Sequence, residues 1–196
     1  MGKVHLHMSM SLDGFVAGPN VGVDRPMGEG GERLHEWLST DSGSDPRDAE
    51  VAAEMFATAT TGAVVMGKRT FNFGVGLWGD DGTFGMPCFV LTHTPAETLV
   101  KGATTFTFVT NGIDGALAQA KASAGDTHIN LMGADTAQQF LSAGLLDEIQ
   151  INLIPTLLGD GVRLFEHTAT KHIELERTRV IESAGATHLK FRVLNP

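Results

Sequence analysis

The sequence has a single cysteine and no long apolar run, and its charge is strongly biased toward acidic residues. Cys88 is the only cysteine, so no disulfide can form within the chain. No apolar run approaches the roughly 20 residues that a helix needs to cross a bilayer, and the start, MGKVHLHMSM, lacks the apolar core of a signal peptide. With 14 basic against 23 acidic residues, the net charge of −9 disfavours nucleic acid and anionic membranes as partners. A cytoplasmic protein that binds a small molecule is expected.

The chain does contain a regular alternation of strand and helix signals. Its 196 residues, 42% of them hydrophobic, suit one well-formed core, so we expect a single domain over residues 1–196. Helical patterns between the earlier strands imply a mainly parallel sheet, and the last two strands suit an antiparallel hairpin. The predicted fold class is α/β with a mostly parallel, eight-stranded central sheet. Apolar and β-branched runs place about eight strands near residues 3–10, 63–66, 88–92, 105–110, 128–132, 147–154, 172–181 and 187–194.

The first long helix has clear boundary signals and follows a glycine-rich segment. Asp45 can cap this helix, Pro46 suits its first position and Gly62 closes it. Two further helices are predicted near 113–124 and 135–144. The segment 17–45 is long for a loop in a compact domain, which indicates a lid over a ligand. The predicted inward stripe of the first helix comprises Ala52, Met55, Phe56 and Ala59, and the solvated opposite stripe comprises Arg47, Glu50 and Glu54.

Two turns that follow buried strands contain small residues and could receive an anion. In NLMGADTAQQFL, Gly133 and Ala134 precede a helix for which Asp135 and Gln138 form a capping-box pattern. In AVVMGKRTF, Gly67 precedes two cations and a hydroxyl, which suits a phosphate. Since parallel strands end at one edge, the two turns predict a shared crevice there. The alternative is that Gly67 only turns the chain and that its cations are solvated.

At this point the chain resembles the dihydrofolate-reductase-like family that includes the reductase domain of riboflavin biosynthesis. The segments SLDGFVAG, VVMGKRTF, VLTHTP, INLMGADTAQQFL and GLLDEIQINLIPTLLGDGVRLF match that family in order and cover nearly the whole chain. The resemblance implies a three-layer fold and an NADPH cofactor. It also implies hydride transfer to a small heterocyclic or imine-type substrate, pterin- or aminopyrimidine-like.

The resemblance also assigns cofactor residues along the sequence. Gly67, Lys68, Arg69 and Thr70, with Thr92 to Thr94, would flank the adenosine phosphate, and Met132 and Gly133 to Thr136 would meet the pyrophosphate. Ser9 and the backbone of Val16 and Ala17 would flank the nicotinamide. NADPH is expected over NADH because cations lie near the predicted 2′-phosphate position, with His93 adding a contact when protonated. The full cofactor set is Ser9, Val16, Ala17, Gly67, Lys68, Arg69, Thr70, Thr92, His93, Met132, Gly133, Ala134, Asp135 and Thr136.

Two departures from the family bear on the substrate. Dihydrofolate reductases carry a carboxylate on the inward face of the first long helix, and the apolar stripe predicts that this chain lacks one. The riboflavin reductases carry a basic residue after the Asp-Gly pair, where this chain has Phe15. The lone cysteine also cannot supply the zinc site of their deaminase partner domain. The pterin substrate of the dihydrofolate reductases and the substrate of the riboflavin reductases are therefore both disfavoured.

The remaining polar residues give candidates for the substrate site. Asp13 is the predicted proton-handling residue, and Ser11, Trp37 and Asn152 are expected beside the substrate, although Asn152 could equally make an ordinary sheet hydrogen bond. His5 and His7 share a strand face without a third ligand nearby in sequence, so no metal site is predicted. The alternative function is a nucleotide-binding module without turnover, which a missing helix carboxylate would permit. The family resemblance also predicts a homodimer.

Overall fold

The computed structural model describes residues 2–39, 45–55, 57–166 and 172–194. The helices are a 3-10 helix at Gly31–Leu38 and α-helices α1 (Pro46–Met55), α2 (Lys68–Gly74), α3 (Gly112–Ala124) and α4 (Ala134–Ser142). The strands are, in chain order, Val4–Ser11 (β1), Phe15–Ala17 (β2), Thr61–Gly67 (β3), Pro87–Leu91 (β4), Leu99–Lys101 (β5), Thr104–Val109 (β6), His128–Met132 (β7), Glu148–Ile154 (β8), Val162–Arg163 (β9), Glu174–Glu182 (β10) and Thr187–Leu194 (β11).

The main sheet has nine strands in the order β10-β11-β8-β1-β7-β3-β4-β6-β5. The predicted α/β class, the mostly parallel sheet and the antiparallel terminal hairpin β10/β11 are confirmed. The predicted number of eight strands is one too low, because the short strand β5 pairs antiparallel with β6 at the edge of the sheet. Its three residues, Leu99, Val100 and Lys101, are too few to give a periodic strand pattern in the sequence.

Two compact units divide the chain. The first unit comprises Met1–His5 and Ala57–Leu146, and the second comprises Leu6–Phe56 and Asp147–Pro196. In the first unit β7, β3, β4 and β6 pair in parallel, whereas in the second unit β8, β11 and β10 pair antiparallel. Strands β2 and β9 form a separate two-stranded sheet within the second unit.

Each unit has its own apolar cluster. The first is dominated by Met66, Phe71 and Phe106 and contains Cys88 as a small core residue. Burial raises the pKa of the Cys88 thiol to about 12, so the thiolate is not available at neutral pH. In the second unit Leu34 and Trp37 of the 3-10 helix pack with Ile154. The part of segment 17–45 that contains Trp37 therefore belongs to a core, which favours a fixed wall over the predicted lid.

Helix α1 begins where the sequence predicted and buries the predicted face, with Asp48 and Val51 as its most buried residues. The backbone N–H of Arg47 donates to Asp45 Oδ1 at 3.0 Å, which confirms Asp45 as the cap. Ala52 of the predicted stripe packs against the cluster that contains Val51, so the predicted inward face is confirmed. Of that stripe, Ala52 and Met55 are half-buried, Ala59 is exposed beyond the helix, and Phe56 lies outside the described residues; Gly62 belongs to β3.

The charged residues of α1 also have a partner that local spacing could not reveal. Arg179 of β10 donates to Glu50 Oε1 at 2.6 Å and to Glu54 Oε1 at 2.7 Å. Arg47 instead pairs with Asp45 at 2.6 Å. The predicted exposed stripe therefore exists, but a strand more than a hundred residues away neutralises two of its members.

Candidate functional site

The first unit places two glycine turns side by side. Strands β3 and β7 are adjacent and parallel, with Met66 opposite Met132, so the residues that follow, Gly67 and Gly133, lie at the same edge. Gly67 is the N-cap of α2, and Gly133 is the N-cap of α4. Strand β4 also pairs with β3, with Leu91 opposite Gly67, which brings Thr92 and His93 to this edge. The structure thus brings together the predicted cofactor residues of the first unit.

Two threonines pack against these glycines in a reciprocal manner. A Cβ atom on Gly133 would lie 2.3 Å from Thr70 Oγ1, and one on Gly67 would lie 3.3 Å from Thr136 Oγ1. Thr70 is on α2 and Thr136 on α4, so each helix covers the turn that begins the other. The φ angle of Gly133 is +93°, a conformation that residues with side chains rarely adopt. The identity of Gly133 is therefore required by both its backbone and its neighbour.

The start of α4 differs from the predicted capping box. The N-cap is Gly133 and makes no side-chain capping bond, and Asp135 lies inside the first turn. The prediction that Asp135 caps the helix is therefore wrong by two positions, because the left-handed φ of Gly133 starts the helix at Ala134. Backbone N–H groups at such a start point along the axis and favour an anion. A pyrophosphate is chemically suited to this place.

Aromatic rings hold the predicted cations of the first unit. Lys68 Nζ lies 4.7 Å from the centroid of the Phe71 ring and 4.3 Å from that of Phe108. The Arg69 guanidinium lies 5.6 Å from the Phe73 ring. Such cation–π contacts limit the conformations of the side chains while leaving their charge intact.

The predicted residues after β4 differ in their surroundings. Thr92 Oγ1 accepts from the backbone N–H of Thr94 at 3.1 Å, which closes a short turn, and His93 is exposed. His93 is thus reachable by a ligand, as its predicted role requires, but nothing in the described residues fixes it there.

The second unit contains a connected group of buried polar side chains, which we call the buried network. It consists of His7, Ser9, Trp37, Asp48, Asn152 and His188, each at most 9% exposed. Asn152 is at its centre: its Oδ1 lies 2.8 Å from His188 Nδ1, and its Nδ2 lies 3.0 Å from His7 Nε2 and 3.4 Å from Ser9 Oγ. The amide of Asn152 therefore links the two strands that flank β8 in the sheet: it contacts His188 on β11, and His7 and Ser9 on β1.

The two ends of the buried network are a carboxylate and an indole. His188 Nε2 lies 2.8 Å from Asp48 Oδ1, and Trp37 Nε1 donates to Ser9 Oγ at 2.9 Å. The Trp37 ring packs edge-on against the His188 ring with centroids 5.0 Å apart. Burial lowers the pKa of His7 to about 4, mainly by desolvating its charged form, against the raising effect of the Asn152 hydrogen bond. His7 is therefore neutral at physiological pH.

Asp48 corrects the prediction that the first long helix lacks an inward carboxylate. It is 5% exposed and lies on the buried face of α1, next to Val51. An isolated carboxylate would be too costly to bury there, and the imidazole of His188 compensates for it. Asp48 lies four residues before Ala52, on the inward face that helical periodicity predicts. Its partner His188 is 140 positions away, so the sequence could not reveal what compensates the buried carboxylate.

Asp13 makes contacts that favour a structural role over the predicted proton-handling one. Its carboxylate accepts from Ser11 Oγ at 2.6 Å and from the backbone N–H groups of Leu158 and Gly159 at 3.2 and 2.7 Å. The Ser11 hydrogen bond, followed by those of Gly159 and Leu158, lowers the pKa of Asp13 to about 2. At neutral pH it is an ionised acceptor. Ser11 is fully buried and also accepts from the Phe15 backbone N–H, so it orders the same turn.

Val16 and Ala17 lie in the short strand β2 and are buried. The strand pairs with β9, and the Arg163 guanidinium lies 4.5 Å from the Phe15 ring centroid. Phe15 thus stands where the riboflavin reductases carry a basic residue, and its ring is covered by the guanidinium of Arg163 from β9.

The histidines of β1 do not form a metal-ligand cluster in the described parts of the chain. His5 stacks on His128 with ring centroids 4.2 Å apart, and His7 belongs to the buried network. Among the described residues, no group of three or more His, Cys, Asp or Glu side chains could hold a metal ion. Within those residues, too, no helix is both long and apolar enough to cross a membrane.

The fold is that of dihydrofolate-reductase-like proteins. A crystal structure from Shewanella sp. PV-4, whose protein has the provisional name riboflavin biosynthesis protein, superposes with a TM-score of 0.73 at 23% identity and covers 100% of both chains. Dihydrofolate reductase from Enterococcus faecalis, complexed with NADP(H), gives a TM-score of 0.58 at 14% identity, covering 99% of this chain and 98% of that chain.

Sequence comparison then gives the family. The RibD C-terminal domain family matches residues 2–189, and the chain belongs to that family. The uncharacterized protein YwjB of Bacillus subtilis is 25% identical over 187 residues, which covers 95% of this chain and 96% of that protein. The family resemblance read from the sequence is thus confirmed.

Proposed function

We propose that this protein is an NADPH-dependent reductase that transfers a hydride to a small heterocyclic or imine-type substrate. Its membership of the RibD C-terminal domain family supports a reductase-like chain. The observation that carries the proposal is the pair of glycine turns at the ends of β3 and β7, with reciprocal threonine packing. Two helices begin there beside each other, and helix starts suit phosphate groups.

The residues present fit a dinucleotide. Gly133 has no room for a side chain against Thr70, so its backbone stays open to a close ligand approach. In this proposal Met132, Gly133, Ala134, Asp135 and Thr136 bind the pyrophosphate, and Gly67, Lys68, Arg69, Thr70, Thr92 and His93 bind the adenosine phosphate end. Ser9, Val16 and Ala17 of the second unit contact the nicotinamide. The bound cofactor would supply the hydride, while the protein orients it and excludes water.

A preference for NADPH over NADH rests on the cations near the first glycine turn. Lys68 is confined by the Phe71 and Phe108 rings, and a confined cation loses less entropy on binding a 2′-phosphate. Dissociation constants of NADPH and NADH should be compared for the parent, Lys68→Ala and His93→Ala proteins. We expect Lys68→Ala to remove most of the preference and His93→Ala to remove a smaller part at acidic pH. Equal affinity of the parent for both cofactors would contradict this 2′-phosphate site.

The rival function is a nucleotide-binding module without turnover. Its main support was the absence of a helix carboxylate, and that support is lost because Asp48 is a buried carboxylate on α1. Ser11, Asp13, Trp37 and Asn152 remain our candidates beside the substrate, with Asp13 in the structural role described above. The substrate pocket would use the buried network as one wall.

Loss of NADPH absorbance in the presence of pterins, flavins, aminopyrimidines and cyclic imines tests the proposal. We expect turnover of one substrate class and loss of NADPH binding in Gly133→Ala, with Gly85→Ala as the matched control, since Gly85 also has a positive φ but open space around it. Binding without turnover of any class would favour the rival, and no binding would contradict both.

We also propose that the protein is a cytoplasmic homodimer built from one domain, residues 1–196. Sedimentation across a wide concentration range should give twice the chain mass of 20.8 kDa. A single species at the monomer mass would contradict the dimer. Cooperative unfolding of both units in one transition would support the single domain.

A further inference from the structure

The orientation of the Asn152 amide decides how many protons the buried network holds. An amide oxygen can only accept, so Asn152 Oδ1, which lies 2.8 Å from His188 Nδ1, requires a proton on that nitrogen. His188 Nε2 and Asp48 Oδ1 are also 2.8 Å apart, and this contact requires a second proton. A neutral imidazole with an ionised carboxylate has only one proton for both positions. With the amide in this orientation, the Asp48–His188 pair therefore holds one proton more, on the nitrogen or on the carboxyl oxygen. The rotated amide, with Nδ2 toward His188 Nδ1 and Oδ1 accepting from His7 Nε2, needs no such proton.

The amide nitrogen of Asn152 also determines which hydrogen bonds Ser9 can make. With Oδ1 on His188, Nδ2 donates to His7 Nε2 at 3.0 Å and to Ser9 Oγ at 3.4 Å. His7 can accept because burial keeps it neutral. Ser9 Oγ also accepts from Trp37 Nε1 at 2.9 Å, so both of its lone pairs are used. Its own O–H has no acceptor among the described residues and is left to donate to a ligand.

We propose that the proton shared by Asp48 and His188 fixes the amide of Asn152 and thereby keeps the Ser9 hydroxyl as a donor to the carboxamide oxygen of the nicotinamide. This inference rests on the proposed function and makes Asp48, His188 and Asn152 positioning residues. When the pair loses its proton, His188 donates from Nε2 to Asp48, and the amide rotates so that Nδ2 donates to His188 Nδ1. The His7 proton then moves from Nδ1 to Nε2, which donates to Asn152 Oδ1. The Ser9 O–H then donates to Asn152 Oδ1 and is lost to the ligand.

The charged groups around the pair are themselves paired. On α1 and β10, Glu50 and Glu54 bind Arg179 at 2.6 and 2.7 Å. On β11 and β8, Lys190 Nζ lies 3.0 Å from Glu148 Oε2. His7 on β1 is neutral above its lowered pKa of about 4.

Histidine-specific nitrogen-15 NMR of the full chain without NADPH tests the proton directly. We expect Nδ1 of His188 to carry a proton at neutral pH and His7 to be neutral with its proton on Nδ1. Assignment comes from loss of the corresponding signals in His188→Gln and His7→Gln. An unprotonated Nδ1 on His188 would overturn the inference. This readout does not depend on cofactor binding, so it separates failure of the inference from failure of the proposed function.

NADPH affinity, measured by calorimetry from pH 6 to 9, tests the consequence for Ser9. In Asp48→Asn the new amide can donate to His188 Nε2, which keeps the proton on Nδ1 at every pH. We expect this variant to bind NADPH as tightly as the parent does at pH 6 without weakening at higher pH. The parent should weaken wherever NMR reports loss of the shared proton, by about threefold to tenfold, the worth of one hydrogen bond.

Ser9→Ala removes the hydroxyl that is proposed to bind the cofactor, and Asp114→Asn serves as the control. Ser9→Ala should bind about threefold to tenfold more weakly than the parent at pH 6, with no dependence on the state of His188. Asp114→Asn, an exposed change in the first turn of α3, should follow the parent. Equal affinity of Ser9→Ala and the parent would overturn the inference even if Asp48→Asn fails to fold. If the parent does not bind NADPH at all, the proposed function fails instead.

Discussion

The glycine turns of the first unit and the buried network of the second unit are built in opposite ways. Each glycine turn is a contiguous strand–glycine–helix segment, and its contacts come from the matching turn on the neighbouring strand. The buried network takes one or two residues from each of several distant segments, with His7 and Asn152 separated by 145 positions. The comparison teaches that local sequence determines a strand–glycine–helix turn, whereas a buried network of polar side chains depends on long-range assembly.

The largest effect should follow from breaking the buried pair in the second unit. His188→Leu leaves the buried Asp48 without its partner, and we expect a loss of about 3–5 kcal/mol in the free energy of unfolding. The reason is the desolvation of a carboxylate that is 5% exposed. Urea denaturation at pH 7 measures the change.

Two further variants control this experiment. Asp48→Leu combined with His188→Leu should recover much of the loss, because it removes both polar partners. His172→Leu, at an exposed histidine, should be close to neutral. A loss under about 1 kcal/mol in His188→Leu would mean that water reaches Asp48 and that the network is not closed.

The next effect concerns the first unit and the packing of Gly133. Gly133→Ala should destabilise the protein by about 3 kcal/mol, combining a strained backbone with overpacking. The new Cβ would lie 2.3 Å from Thr70 Oγ1, at a φ of +93°. Gly85→Ala, at a φ of +64° with open space, isolates the backbone contribution and should cost about 1 kcal/mol.

Removing the clashing hydroxyl sharpens this test. Gly133→Ala with Thr70→Ala should regain the steric part of the loss, because the remaining contact is to the Thr70 Cβ at 3.5 Å. If the double variant is no more stable than Gly133→Ala, the reciprocal packing of the turns does not explain the glycine.

A smaller effect should appear in the pH dependence that His7 gives the second unit. Its pKa falls from 6.5 to about 4 on folding, so between these values the unfolded chain binds a proton that the folded chain does not. His7 therefore lets stability fall as the pH drops from 6.5 toward 4, by up to about 1.4 kcal/mol per pH unit.

His7→Gln should flatten this decline. Urea denaturation at pH 7, 6 and 5 measures the slope, with His172→Gln as the exposed-histidine control. His7→Gln is expected to be less stable at pH 7, because an Asn152 hydrogen bond is altered, yet less sensitive to acid. An unchanged slope would show that His7 becomes protonated without cost and is hydrated.

The difference between the regions also explains what the sequence could predict. All eight predicted strands, the terminal hairpin and the cap at Asp45 were found because alternation, turn residues and capping chemistry act over a few neighbours. Strand β5 was missed since its three residues are too few to give a periodic strand pattern. The Asp135 capping box failed because a single φ angle at Gly133 moved the helix start.

The candidate site was predicted where it is local and missed where it is not. Gly67, Gly133 and the residues after them were found from strand-to-helix patterns and the family resemblance. Asp48 was overlooked although helical periodicity places it on the inward face with Val51 and Ala52. The sequence did not reveal the distant partner, His188, that makes a buried carboxylate tolerable there. His188 itself gave no signal beyond a histidine inside a strand pattern, and its burial is the consequence of its two partners. A polar residue at an inward position of a strand, such as Asn152 on β8, is the sequence signal that would prompt a search for such a pair.

The smallest effect is expected at Asp13, where local and long-range contacts meet. Its pKa is lowered from 3.8 to about 2, first by the Ser11 hydrogen bond and then by the Gly159 and Leu158 N–H groups. Its contribution to stability is thus present above about pH 4 and is lost as the pH falls toward 2. Asp13→Asn should lower the melting temperature slightly at pH 7 and less at pH 3, because an amide oxygen cannot accept all three bonds. Asp160→Asn, an exposed carboxylate one residue after Gly159 that accepts only from the Gly161 N–H, is the control. If Asp13→Asn instead leaves the melting temperature unchanged while abolishing turnover at full NADPH affinity, Asp13 handles a proton and its hydrogen bonds to the 158–159 backbone are incidental.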